Sequence, residues 1–353
     1  MLDDLEKIAK LDKGNILSSI EHLPEQVDQA WKDTKYLALP KSYSDVKNIV
    51  VAGMGGSALG GRIVHHLEAE KLRAPIEVVT SYKLPNYVNK DSLVILSSYS
   101  GNTEETVSAT YGAIDKNACV VGIATGGKLA EILKNKNLPI YVIEPRNNPS
   151  GQPRMGLGYS IASILGILDK CKLLNLTDED LGEIVDCTEK FVKEYGVRNH
   201  TSKNPAKKMA EKLVGKIPVL MSSEHLVGVT HAFKNQLNEN AKTFSVHFPI
   251  SEANHHLMDA LRFPQKAKEI LHFVFLESRN YYPRFEKIYS ITEDVVKKNG
   301  SGYEVYRTLS KKKVEEVFEI LVFGSYVSFY SAMLHGIDPT PIPWVDFFKE
   351  ELK

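Results

Sequence analysis

The sequence predicts an α/β protein made of two similar halves, each a mostly parallel sheet flanked by helices. Three observations carry this. Short apolar, β-branched runs alternate with helical patterns along most of the chain. The alternation runs through once, breaks, and runs through again. The break is Asn147–Pro153, a loop of Asn, Pro, Ser and Gly.

In the first half the strands are expected at Asn48–Ala52, Pro75–Val79, Leu93–Ser97, Cys119–Ala124 and Pro139–Ile143. Helices are expected at Arg62–Glu70, Glu104–Ile114 and Lys128–Lys134, with a linking helix in Met155–Leu174. In the second half Asn204 reads as an N-cap, Pro205 as the first helical residue and Gly215 as the residue past the end. Strands follow at Ile217–Met221, Thr243–His247, Leu271–Leu276 and Tyr303–Arg307. Helices follow at Leu226–Asn240, His255–Leu261, Arg284–Lys298 and Lys313–His335. The domain boundary is expected at 153/154, giving an N-terminal domain 1–153 with a leading helix and a C-terminal domain 154–353 with linking helices and a docked tail. Trp344, Phe347 and Phe348 suggest that docking.

The chain has 353 residues, and its 44 Lys plus Arg balance 44 Asp plus Glu. A general nucleic-acid or membrane-surface role would want a basic excess, so neither partner is expected. Three scattered cysteines fit a reduced compartment rather than a disulfide framework. The acidic, amphipathic N-terminus lacks the apolar core of a signal peptide, so a cytoplasmic location is expected.

Two loops carry the chemistry. Gly53-Met54-Gly55-Gly56-Ser57-Ala58-Leu59-Gly60-Gly61 follows the first strand and opens a helix, where backbone amides and the helix dipole suit an anion. It satisfies a relaxed dinucleotide fingerprint, but the acid that should end the second strand is missing; Glu77 sits mid-strand. A tight packing turn is the bland alternative. Ser97-Ser98-Tyr99-Ser100-Gly101-Asn102-Thr103-Glu104 follows the third strand. Ser98, Ser100 and Thr103 offer three hydroxyls beside free amides at a helix start, which suits a phosphomonoester. The bland alternative is a capping box on Thr103.

These two loops resemble the sugar isomerase (SIS) domain. Gly55-Gly56-Ser57, Ser98-Tyr99-Ser100-Gly101-Asn102-Thr103-Glu104, Pro153-Arg154, Asn238-Glu239-Asn240-Ala241-Lys242 and Asn254-His255 occur in the order of the bifunctional phosphoglucose/phosphomannose isomerase family. The resemblance runs from about Val46 to the C-terminus. It implies two SIS-type domains, each a mostly parallel five-stranded sheet flanked by helices. It also implies an enzyme interconverting glucose 6-phosphate and mannose 6-phosphate with fructose 6-phosphate through a cis-enediolate, with no metal and no cofactor. By the same resemblance Glu239 is the base, Arg154 stabilises the enediolate, and His255 and Lys349 assist ring opening. Gly55, Gly56, Ser57, Ser98, Ser100 and Thr103 hold substrate. A homodimer is implied, with His255 supplied across its interface.

The residue types suit that chemistry: a carboxylate near C1–C2, a permanent cation for oxyanion charge, and an acid–base group for the ring oxygen. Each also has a plainer reading. Glu239 at a helix end and Arg154 in a loop could be solvated. Lys349 stands in a terminal segment where Lys353 is an alternative. His65-His66 and His255-His256 are adjacent pairs, not an i, i+4 ligand set, and one of each reads as helix surface. An isomerase of another sugar phosphate and a non-catalytic SIS-type sensor remain alternatives. A nicotinamide oxidoreductase is disfavoured by the missing ribose acid.

Overall fold

The computed structural model describes residues 1–352. Helices α1 (Leu5–Leu11), α2 (Ile16–Glu21) and α3 (Leu23–Thr34) precede the first sheet. That sheet consists of β1 (Asn48–Ala52), β2 (Ile76–Val79), β3 (Ser92–Ser97), β4 (Cys119–Ala124) and β5 (Ile140–Val142). The connecting helices are α4 (Gly56–Leu67), α5 (Glu104–Asp115) and α6 (Gly127–Asn135). All strand pairs are parallel, in the order β2-β1-β3-β4-β5. β3 is buried along its whole length, as its unbroken apolar run requires when helices cover both faces.

This order has a consequence for function. From β1 the chain steps to one side to make β2, then returns to the other side to make β3. The loops that leave β1 and β3 therefore diverge, and a crevice opens between them at the carboxyl ends of the strands. The glycine loop leaves β1 and the serine-threonine loop leaves β3.

Two linking helices follow, α7 (Leu157–Lys170) and α8 (Asp178–Tyr195), then α9 (Pro205–Leu213). The sequence reading left α8 unassigned. It begins with a reciprocal capping box between Thr177 and Asp180, and its apolar face covers α15 and α3. α9 starts as expected: the Asn204 side chain accepts from the amides of Ala206 and Lys207. Gly215 takes φ +70° just past its end.

The second sheet is also wholly parallel, in the order β7-β6-β8-β9. Its strands are β6 (Ile217–Ser222), β7 (Val246–Pro249), β8 (Leu271–Glu277) and β9 (Gly302–Arg307). It has four strands where five were expected. After β9 the chain enters α15 (Lys313–His335), which is apolar all round and buried along nearly its whole length instead of feeding a fifth strand. α15 is long and apolar enough to cross a membrane, but here it is the central core helix. The other helices are α10 (Val227–Glu239), α11 (Ile250–Ala253), α12 (Leu257–Ala260), α13 (Ala267–Ile270), α14 (Arg284–Lys298) and α16 (Pro343–Glu351).

Three further expectations are corrected. The helix over His255–Leu261 is reduced to the single turn of α12, because the chain leaves helical geometry at His256 (φ −145°). β7 starts three residues late, since Ser245 is tied to the Asn238 side chain. The tail does not dock through its aromatics: no residue of α16 is buried, and Trp344, Phe347 and Phe348 are exposed. It is held at its root instead, by cations described below.

One apolar core runs through both halves. α7 packs on α3 and α4, and α10 packs on α4 and α15. The α4–α10 crossing depends on Gly228. A Cβ there would stand 2.4 Å from the Arg62 carbonyl oxygen and 2.7 Å from the Ile63 Cα, both backbone atoms that cannot yield. Gly228→Ala should therefore force the helices apart, at a cost on the order of 2 kcal/mol. The check is thermal unfolding by circular dichroism; an unchanged melting temperature would contradict this account of the crossing.

Candidate active site

Three loops meet at the crevice of the first sheet. The loop after β1 approaches so closely that a Cβ on Gly53 would lie 2.6 Å from the Ser97 carbonyl. Gly55 takes φ +51°, a conformation glycine adopts without strain. The Ser57 hydroxyl accepts from the Tyr99 amide at 2.9 Å, binding the first loop to the second. Gly56 faces the backbone of Pro153 and Arg154, where a Cβ would sit at 3.0 Å, so the third loop closes against the first.

The serine-threonine loop is rigid and its helix start is open. Gly101 (φ +70°) lies against the Gly126 carbonyl, leaving no room for a Cβ. Asn102 accepts from the Lys128 amide, and the Thr125 hydroxyl donates to the Tyr99 carbonyl. The Ser98 hydroxyl donates to the Thr103 hydroxyl at 3.0 Å, and the Ser100 hydroxyl accepts from the Asn102 amide at 3.3 Å. Thr103 stands at the N-cap of α5, yet its side chain makes no capping bond. The capping-box alternative is thus not formed. The first-turn amides of α5 keep their outward-facing donors, as an anion cradle requires.

The third loop presents Arg154. Two glutamines of α3 clamp it. Gln26 donates to the carbonyls of Ser19, Asn147 and Met155 and accepts from the Gly158 amide. Gln29 accepts from Arg146, Asn147 and Tyr159. Arg154 itself is 1% exposed. Its Nε donates to Asn240 Oδ1 at 2.6 Å, and Nη1 to Gln152 Oε1 at 2.7 Å. Nη2 donates to the carbonyls of Pro339 and Thr340 at 3.1 and 2.8 Å. Nη1 also lies 3.7 Å from Glu239 Oε2.

Glu239 is the last residue of α10 and is half-buried. Burial lifts its carboxyl above the ordinary range. Arg154 opposes that rise most strongly, followed by Lys349, Lys234 and Lys242. A carboxylate at a helix C-terminus also works against the dipole, in the same direction as burial. Lys349, on the exposed α16, is thus brought within electrostatic reach of Glu239. Lys353 lies outside the described residues.

His255 makes no hydrogen bond or ion pair with this group among the described residues. It is exposed in the turn between α11 and α12, and it is absent from the charges that act on Glu239. The neighbouring Glu252 meets it only through a backbone bond.

The sequence reading gave no role to Asn240, Gln152 and Lys242. Asn240 and Lys242 stand inside the quoted Asn-Glu-Asn-Ala-Lys run, and two amides aimed at one arginine, Asn240 buried and Gln152 half-buried, are visible only in three dimensions. Lys242 takes φ +53° and donates to the carbonyls of Asn240, Asp338 and Pro339. Burial pushes its ammonium down to about 8. With Arg154 it tethers the segment that leads into α16.

Two parallel sheets in doubly wound order, flanked by helices, are the architecture of SIS-type proteins. A family model described as the bacterial phospho-glucose isomerase C-terminal SIS domain matches residues 202–352. A bifunctional phosphoglucose/phosphomannose isomerase from Caldicellulosiruptor bescii is 32% identical over 339 residues, covering 96% of this chain and 98% of the relative. One from Thermoplasma volcanium is 31% identical over 306 residues, covering 86% and 91%. Among solved structures, the C-terminal domain of glucosamine-fructose-6-phosphate aminotransferase from Francisella tularensis superposes with a TM-score of 0.74 at 14% identity, covering 93% of this chain and 98% of that one. The last likeness concerns the fold alone. The chain belongs to the bifunctional phosphoglucose/phosphomannose isomerase family.

The electrostatics around Glu239 can be checked without any substrate. Arg154→Met removes the largest influence holding the carboxyl down, so its titration midpoint should rise further. Carboxyl-carbon NMR of labelled glutamate reads the midpoint directly. A midpoint that stays put or falls would contradict the pairing.

Proposed function

We propose that this protein is a metal-independent aldose–ketose isomerase that interconverts glucose 6-phosphate and mannose 6-phosphate with fructose 6-phosphate. The observation that carries the reading is the Glu239 carboxylate beside the buried Arg154 guanidinium, 3.7 Å apart, at the mouth of an anion-ready crevice. A carboxylate lifted by burial is a better base than a solvated one, and the four cations around it favour its ionised form.

In this reading the substrate phosphate takes the first-turn amides of α5 and the hydroxyls of Ser98, Ser100 and Thr103. Gly55, Gly56 and Ser57 line the sugar. Glu239 removes the proton from C2 of the open-chain aldose and returns it to C1. Charge developing on the carbonyl oxygen is met by Arg154, whose fixed orientation needs no reorganisation during the step. Dual use of glucose and mannose phosphates needs proton return to either face of C2. Lys349 and His255 serve the ring oxygen. His255 is not among the groups that act on Glu239 within one chain, so it is supplied by a second copy, and the active unit is a homodimer. The exposed aromatic side chains of α16 fit a partner surface. A division into domains 1–153 and 154–353 and a cytoplasmic location fit the same reading.

The direct test is to incubate EDTA-treated protein with fructose 6-phosphate and follow the glucose and mannose phosphates separately. Both are expected. Glu239→Gln should lower kcat by at least about 100-fold with the fold intact. A loss below about tenfold would remove Glu239 from the base role.

Supply of His255 in trans has its own test. Glu239→Gln and His255→Ala, each inactive alone, are mixed, unfolded and refolded together. If the site is shared, mixed dimers hold one intact site and activity returns. If activity stays absent while mixed dimers form, His255 acts within its own chain or not at all.

A further inference from the structure

Five basic side chains gather along the seam between the two sheets, away from the substrate loops. α4 carries Arg62 and His66, α10 carries His231 and Lys234, and the edge strand β7 carries His247. All five are half-buried. The His231 and His247 rings are 4.6 Å apart. Arg62 acts electrostatically on each of the other four. His65, which stands edge-on to His66 at 4.8 Å, is turned away, with its Nδ1 2.7 Å from the Ile76 carbonyl oxygen.

The group contains two permanent cations and three imidazoles, and it is unpartnered. Among the described residues none of the five side chains has a hydrogen-bond partner, and burial is the sole influence resolved on Arg62. His247 Nδ1 is fully shielded from solvent yet bonds to nothing. The one carboxylate that reaches the group is Glu239, through Lys234, and it stands at the far end of α10 about one and a half helical turns away. Basic side chains half-buried together with no acceptor between them form an arrangement that an anion completes.

We propose that this cluster binds a small tetrahedral dianion of the phosphate class, held by Arg62 and Lys234 with His66, His231 and His247 completing the shell. The site is separate from the α5 cradle, so it stands or falls apart from the isomerase reading.

Proton linkage gives the site a signature. Burial and the neighbouring cations hold His66 down to about 4, His231 to about 3 and His247 to about 4. At neutral pH the empty cluster therefore carries neutral rings. A bound dianion favours the protonated ring and raises those values. The complex then holds more protons than the empty protein, so affinity rises as pH falls.

Calorimetric titration of the full chain with sodium sulfate tests this, because sulfate keeps its charge across the range. A Ser100→Ala, Thr103→Ala variant, which weakens the substrate loops, is titrated alongside so that sulfate held there is told apart from sulfate in the cluster. One sulfate per chain is expected in the cluster. It should bind about tenfold tighter near pH 6 than near pH 8, with net proton uptake revealed by buffers of different ionisation heat. Inorganic phosphate should displace it. Arg62→Met should weaken binding about tenfold, and His231→Gln should flatten the pH dependence, each with secondary structure retained. Lys234→Met repeats the first test should Arg62→Met fail to fold. Absence of binding at roughly 10 mM sulfate, binding indifferent to Arg62→Met and Lys234→Met, or binding without pH dependence would overturn the proposal. So would sulfate binding that fades as protein concentration rises, which would give the cluster to a contact between copies.

Discussion

The buried guanidinium of Arg154 is the constraint on which the site depends. A charged group at 1% exposure persists only if its donors are met, and here they are met by segments far apart in sequence. Gln152 comes from its own loop, Asn240 and Glu239 from the end of α10, and Pro339 and Thr340 from the strap beyond α15. One side chain therefore sets the distance between the first sheet, the second half and the tail. Breaking such a group apart by removing a partner typically costs about 3–5 kcal/mol, since the charge stays buried. That cost keeps the carboxylate of Glu239 in place beside it, although a helix C-terminus is an unfavourable position for an acid.

The two sheets share a winding order but not a crevice. At the carboxyl ends of β6, β8 and β9 the space is filled by the protein itself. Glu316 of α15 receives His225 at 2.6 Å and the hydroxyls of Ser278 and Thr308 at 2.6 Å each. Burial would push Glu316 up, but these bonds outweigh it and hold the carboxylate below its ordinary value. Next to it Glu319 takes the amides of Leu309 and Ser310 and the Tyr306 hydroxyl. Among the described residues the loops after β1 and β3, where the ligand site is proposed, hold no buried carboxylate of this kind.

Much of this was legible in the sequence where local physics decides. The first-sheet strands were found nearly residue for residue, because a buried parallel strand is a short apolar run with sharp ends. Asn204, Pro205 and Gly215 marked α9 through capping chemistry alone. The loops showed themselves by glycine and hydroxyl content. What failed depended on distant partners. The four strands of the second sheet were read from the residues, the fifth that the family resemblance implies is replaced by α15 filling the core, and α8 is a charged helix whose identity comes from what it covers. The exposed aromatics of α16 read as docked because aromatic content is a sign of burial only on average. Asn240 and Gln152 gave no signal, since an amide looks like any other until the arginine it holds is seen.

The equal counts of acid and base conceal a strongly uneven field. Arg154, Lys242, Lys349 and Lys234 all act on Glu239, and Arg62 extends the same sign along α4 towards His66, His231 and His247. Glu239 thus stands among four cations, with Asp346 acting on Arg154 and Asp338 on Lys242. For a carboxylate that must ionise while half-buried, this surrounding is what offsets desolvation. For a phosphorylated ligand arriving from solvent, it is a positive field near the crevice, in a molecule whose overall charge would attract nothing. Both effects rest on the same cations, so salt or an anion that screens them weakens ligand capture and raises the carboxyl of Glu239 together.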